Sequence, residues 1–134
     1  MNTTRPSSTL AILVFVLAGC LSTQDLQPGK GHAVTVQGRP YADVWNAAMK
    51  VAAESFEIQD SDQAAGVIRG ERATDIKAWR EIVGIFITPP GEGAAGYRIE
   101  VVTLPHVRGQ PTARGWERQT ARDIEAQLAG RARW

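Results

Sequence analysis

The stretch AVTVQGRPYADVWNAAMKVAAESFEIQ, residues 33–59, decides the fold, because its apolar spacing switches from the period of a strand to that of a helix and back. Val34 and Val36 alternate with polar neighbours as far as Gly38, which predicts a short strand. Pro40 stands where the first turn of a helix tolerates it, and Asp43 complements the positive end of the helix dipole. Tyr41, Val44, Trp45, Ala48, Val51 and Ala52 then recur at helical spacing, predicting a helix over residues 40–54. Phe56 to Gln59 opens a second strand.

Working outward, Asp60 to Gln63 reads as a polar turn and Gly66 to Arg72 as a hairpin partner. Trp79 to Thr88 is the most apolar strand, carrying Ile82, Val83, Ile85, Phe86 and Ile87. After a loop from Pro89 to Gly96, the residues Tyr97, Ile99 and Val101 alternate with Arg98, Glu100 and Val102, the pattern of a half-exposed strand. A last helix over residues 113–129 places Trp116, Thr120, Ala121, Ile124 and Leu128 on one side and stops at Gly130. Trp79 and Trp116 are expected as core anchors. The order β-α-β-β-β-β-α with hairpin connections implies an α+β two-layer sandwich: an antiparallel sheet of about five strands, both helices on one face. The other face is left for solvent or a partner.

This order, with Tyr41, Val44 and Trp45 spaced Y-x-x-V-W, a polar turn, and Gly66-Val67-Ile68, resembles the helix-grip domains of the BamC type across residues 33–129. The resemblance implies a small domain of an outer-membrane assembly lipoprotein. A second resemblance lies in the leader. Leu10 to Ala18 reads LAILVFVLA without a charge. It is a signal-type apolar run that would rise only about 13 Å as a helix, too short to span a bilayer. It ends in Ala18-Gly19-Cys20, which resembles the lipobox of bacterial, and in particular proteobacterial, lipoprotein precursors. That likeness implies cleavage between Gly19 and Cys20 and a diacylglycerol lipid on the Cys20 thiol. Leu21 follows where an aspartate would favour inner-membrane retention, so the implied location is the outer membrane, facing the periplasm. The chain then divides into a signal peptide, 1–19, a lipidated cysteine with a flexible tether, 20–31, one α+β domain, 32–130, and a tail, 131–134. The tether reading rests on LSTQDLQPGKG, rich in polar residues, Pro and Gly.

The 134 residues carry 15 Lys plus Arg against 14 Asp plus Glu, and removal of the leader with Arg5 leaves the remainder balanced. A whole-chain excess that would hold a nucleic-acid backbone is missing, so no nucleic-acid partner is expected. Cys20 is the single cysteine, which excludes internal disulfides and thiolate metal clusters. His32 and His106 lack the spacing of a zinc site, and Ser55 and Ser61 lack a nucleophile elbow. Gly91-Glu92-Gly93-Ala94-Ala95-Gly96 formally matches a dinucleotide fingerprint, but the strand-like Tyr97 to Val101 follows where a helix is required, so a hairpin tip is expected. Glu57, Asp60 and Asp62 read as solvated turn acids. Neither metal nor cofactor is expected.

Arg114, Arg118 and Arg122 lie four apart and line one side of the last helix, with Arg131 and Arg133 after it, and are expected to form a solvated face on which Arg122 pairs with Glu125. Trp134 has no helical register. The expectation is a non-enzymatic, membrane-anchored envelope lipoprotein whose domain binds another envelope protein or a peptide through its sheet edge or polar face. The alternative is a module contacting anionic lipid or lipopolysaccharide through the arginine stripe.

Overall fold

A computed structural model describes residues 21–73, 80–91, 95–107, 109 and 115–130. Cys20, Gly19, Trp79, Arg114, the centre of the glycine-rich tip and the tail from Arg131 to Trp134 lie outside the described residues. The elements are β1 (His32–Val36), α1 (Tyr41–Ser55), β2 (Glu57–Asp62), β3 (Val67–Ala73), β4 (Arg80–Thr88), β5 (Tyr97–Pro105) and α2 (Trp116–Leu128), preceded by a short 3-10 turn, Thr23–Asp25. The five strands form one antiparallel sheet in the order β1-β5-β4-β3-β2, so the fold is the α+β arrangement expected from the pattern.

The centre of one sheet face is apolar because Ile and Val recur at alternate positions of its strands. Ile68, Ile85 and Val101 stand opposite one another on β3, β4 and β5, and Val83, Ile87 and Ile99 continue the layer. Onto it α1 lays Val44, Trp45, Ala48, Val51 and Ala52, and α2 lays Ala121, Ile124 and Leu128. Helical and strand periodicities meet in one core, which is why the sequence pattern was sufficient for the architecture. Trp116 is only half-buried, at the rim, with its ring edge-on to Phe56 at 6.3 Å between centroids.

Three expectations change. The β2–β3 turn falls at 63–66 rather than at Asp60, since Asp60 and Asp62 remain paired to Arg69 and Val67 beyond a bulge after Ile58. Asp62 accepts the Ala65 N–H at 3.0 Å and the Tyr41 hydroxyl donates to the Gln63 carbonyl, so side chains close the turn. Gly66 holds φ at +71° there, and a Cβ would lie 2.3 Å from the Ile87 carbonyl oxygen.

The second change concerns Leu21 to Gly31, expected as a flexible tether. This segment crosses the second face of the sheet as a strap. The Leu21 N–H donates to the His106 carbonyl at 2.9 Å, Ser22 and Asp25 form a capping box, and Leu26, 3% exposed, packs with Ile82, Phe86 and Val102. Its glycines serve contact rather than flexibility: at Gly31 a Cβ would come within 1.9 Å of the Val101 carbonyl oxygen. The third change follows from the second. Glu100 and Val102, expected to face solvent, are each 1% exposed because the strap covers them. Leu26→Ala should therefore cost about 2 kcal/mol in urea unfolding, the low end for a buried leucine because it is carried on a single strap that can settle onto the sheet. A cost under about 0.5 kcal/mol would mean that the strap is loosely held.

Candidate functional site

Of the sequence-marked groups, His32, Arg118 and Arg122 lie near one another, beside the groove between β1 and α2. β1 is an edge strand, paired to β5 on one side only. α2 lies beside it and runs the same way: His32 shares a depression of about 390 Å³ with Gly115, Glu117 and Arg118. At the other end Thr35, Val36 and Gln37 share one of about 340 Å³ with Glu125, Leu128 and Ala129. On α2 itself Arg122, Glu125, Ala126 and Ala129 line a further 350 Å³, which shares Glu125 and Ala129 with the second of these. These are open, shallow surfaces, suited to an extended chain rather than to an enclosed small molecule.

Helical geometry sets the polarity of this groove. Arg118 and Arg122 are exposed on the side of α2 away from Ala121 and Ile124, and neither takes part in an ion pair among the described residues. The expected pairing of Arg122 with Glu125 is thus not formed. Glu117, next to Arg118, turns inward, accepting the Thr103 N–H at 2.8 Å and the Thr103 hydroxyl. Gln119 donates to Asp123 at 2.8 Å. Arg39 lines the far end of the groove. The surface beside β1 consequently presents Arg39, Arg118 and Arg122 against Glu125.

The opposite edge of the sheet differs. β2 exposes Glu57, Gln59, Asp60 and Asp62 and carries the bulge, two devices that block pairing with another strand. Its acids are engaged within the sheet: Asp60 with Arg69 at 3.4 Å, Glu57 with Arg80 at 3.5 Å, Asp62 at the turn. They do not converge on a cleft. β1, in contrast, has no acid and no bulge, and His32 is its only titratable side chain.

Two buried carboxylates were not anticipated. On the strap-covered face, Glu100 accepts the Gly29 N–H at 2.7 and 2.8 Å and the Gly31 N–H at 2.9 Å, and Arg98 donates to it at 2.8 Å. Burial by itself would raise its pKa, but those backbone donors and the Arg98 charge outweigh burial and hold it below the ordinary value. On the helix-covered face, Arg72 donates through Nε to Glu81 at 2.6 Å, and its guanidinium carbon sits 4.5 Å from the Trp116 ring centroid. Glu81 is 1% exposed. Glu100 ties the strap to the sheet, and Glu81 holds the Arg72 guanidinium against Trp116. In the sequence both look like the polar half of an alternating strand, and nothing local distinguishes them.

His106 is half-buried with Nδ1 3.9 Å from Glu71, while His32 stands across the sheet on β1. Among the described residues no three His, Cys, Asp or Glu side chains are grouped to hold a metal ion. After Gly96 the chain enters β5, so the glycine-rich tip does not open a helix. No helix of the described residues is long and apolar enough to cross a membrane. No protein-family model matches the chain, and no curated protein matches it.

Proposed function

We propose that this chain is a non-enzymatic lipoprotein of the bacterial outer membrane, anchored through a lipid on Cys20 and facing the periplasm, whose α+β domain binds another envelope protein. The observation that carries the reading is the run LAILVFVLAGC, residues 10–20: an uncharged stretch too short to span a bilayer, ending in small residues before the chain's single cysteine. Two or three acyl chains would hold such a protein stably, since each buried methylene contributes about 0.8 kcal/mol.

The fold adds a physical consequence. Leu21 is already hydrogen-bonded to His106, so a lipid on Cys20 would seat the domain directly against the bilayer rather than on a leash.

The test is intact mass and membrane fractionation of wild type beside Cys20→Ala. Wild type is expected to be heavier than the chain from Cys20 by two or three acyl groups and to sediment with outer membrane, while Cys20→Ala does not. A soluble, unmodified wild type would overturn the anchor. A second reading, contact with anionic lipid or lipopolysaccharide, is supported by the exposure of Arg118 and Arg122 without ion pairs among the described residues. Salt-sensitive binding to phosphatidylglycerol vesicles, lost on charge reversal, would favour it.

A further inference from the structure

We infer that the groove between β1 and α2 receives an extended acidic segment of a partner protein, which joins the sheet as a sixth strand beside β1. The inference deepens the interaction-module reading and rests on it for the partner's location, but not on the lipid.

Three observations converge. First, of the two sheet edges only β1 is unprotected: β2 is bulged and acidic, whereas β1 has neither device and no strand partner beyond β5 among the described residues. An edge of this kind offers a row of unpaired N–H and C=O groups to an incoming strand. Second, the edge is not bare. α2 flanks it, so an added strand would be met on its helix-facing side by Arg118 beside His32 at one end and by Glu125 and Ala129 beside Val36 at the other.

Third, the charges and their spacing select the occupant. Arg118 and Arg122 are one helical turn apart, an axial rise of about 6 Å. Alternate residues of a strand, which share a face, are about 6.7 Å apart. Two acids at alternate positions of the added strand therefore fall in register with the two guanidinium groups, which bind carboxylates in bidentate fashion. Glu125 follows on α2 and is exposed, so the next helix-facing position is disfavoured for an acid. The recognised segment is thus extended, β-prone, and acidic at two alternate positions.

The experiment uses the full chain purified in detergent on an array of immobilised seven-residue peptides in which valine alternates with glutamate, lysine or threonine. The expected result is retention by the glutamate peptides over the lysine and threonine ones, reduced about tenfold or more by Arg118→Glu with Arg122→Glu, which alters exposed positions and leaves the thermal midpoint unchanged. In hydrogen exchange with the bound glutamate peptide, amides of residues 32–36 are expected to slow. Equal retention of all peptides or of none, indifference to charge reversal, or protection elsewhere than β1 would overturn the inference. So would charge-dependent binding to phosphatidylglycerol vesicles with no retention on the array. Cys20→Ala is expected to keep the peptide preference, so a failed anchor and a failed groove give different results.

Discussion

Glu100→Ala is expected to lower the unfolding free energy by about 3–5 kcal/mol, the range for removing one partner of a buried charged network. The carboxylate is 1% exposed and accepts the backbone N–H groups of Gly29 and Gly31 and a donor from Arg98. Alanine takes the acceptor from two N–H groups of the strap itself, and hydrogen bonds to a charged group each contribute about 1.5–3 kcal/mol. The strap should loosen before the sheet does. Amides of Gly29 and Gly31 are expected to exchange at rates near those of an unfolded chain, while residues 99–101 of β5 remain protected. A loss below about 1 kcal/mol in urea unfolding would show that the strap is held by Leu26 and its neighbours instead.

Acid gives the same test without a truncation. Because the folded pKa of Glu100 lies below its ordinary value near 4.5, the group binds a proton more readily in the unfolded chain. Its stabilising contribution is fully present above about pH 4.5 and is lost as the pH falls through the lowered folded value. Glu100→Gln, which cannot titrate, should be less stable than wild type at neutral pH, and the difference should shrink as the pH drops below that point. A difference constant across the acid range would sink the assignment.

The strap also marks where the sequence stops being legible. Strand and helix order could be read because Val34 and Val36, Val44 to Ala52 and Ile82 to Ile87 carry periodicities that depend only on which face is buried. LSTQDLQPGKG carries no period, and its Pro and Gly content reads as flexibility. What fixes it is a carboxylate about seventy positions away and a leucine pocket formed by two distant strands, both of them tertiary facts. The burial of Glu100 escapes the pattern for the same reason: alternation identifies the second face of a strand but does not say whether that face meets water. The arginine stripe was legible from helical spacing, whereas its adjacency to the free edge of β1 required the strand order. Nothing in the sequence indicates that β1 pairs with the last strand and not with its neighbour β2.

Arg72→Ala is expected to cost about 3 kcal/mol or more, and its effect should appear in α2 as well as in the sheet. The guanidinium joins three elements: it donates to Glu81 of β4 at 2.6 Å, projects from β3, and stacks on Trp116 in the first turn of α2. Alanine removes one donor from a carboxylate that is 1% exposed and takes away the platform under the indole. Arg72→Lys keeps the charge but not the planar fork or the stacking, and should recover only part of the loss. Replacing the pair together, Arg72→Met with Glu81→Leu, should cost less than Arg72→Ala alone, because the desolvated charge is removed with its partner. Urea unfolding of the set measures these differences, and Trp116 emission reports the first turn of α2 separately. Were Arg72→Ala as costly as predicted yet silent at α2, the pair would serve the sheet alone. A shift at both places would make it the contact that fixes where α2 begins. The position of Arg118, two residues into that turn, and with it the basic side of the β1 groove, would then depend on a salt bridge on the far side of the helix.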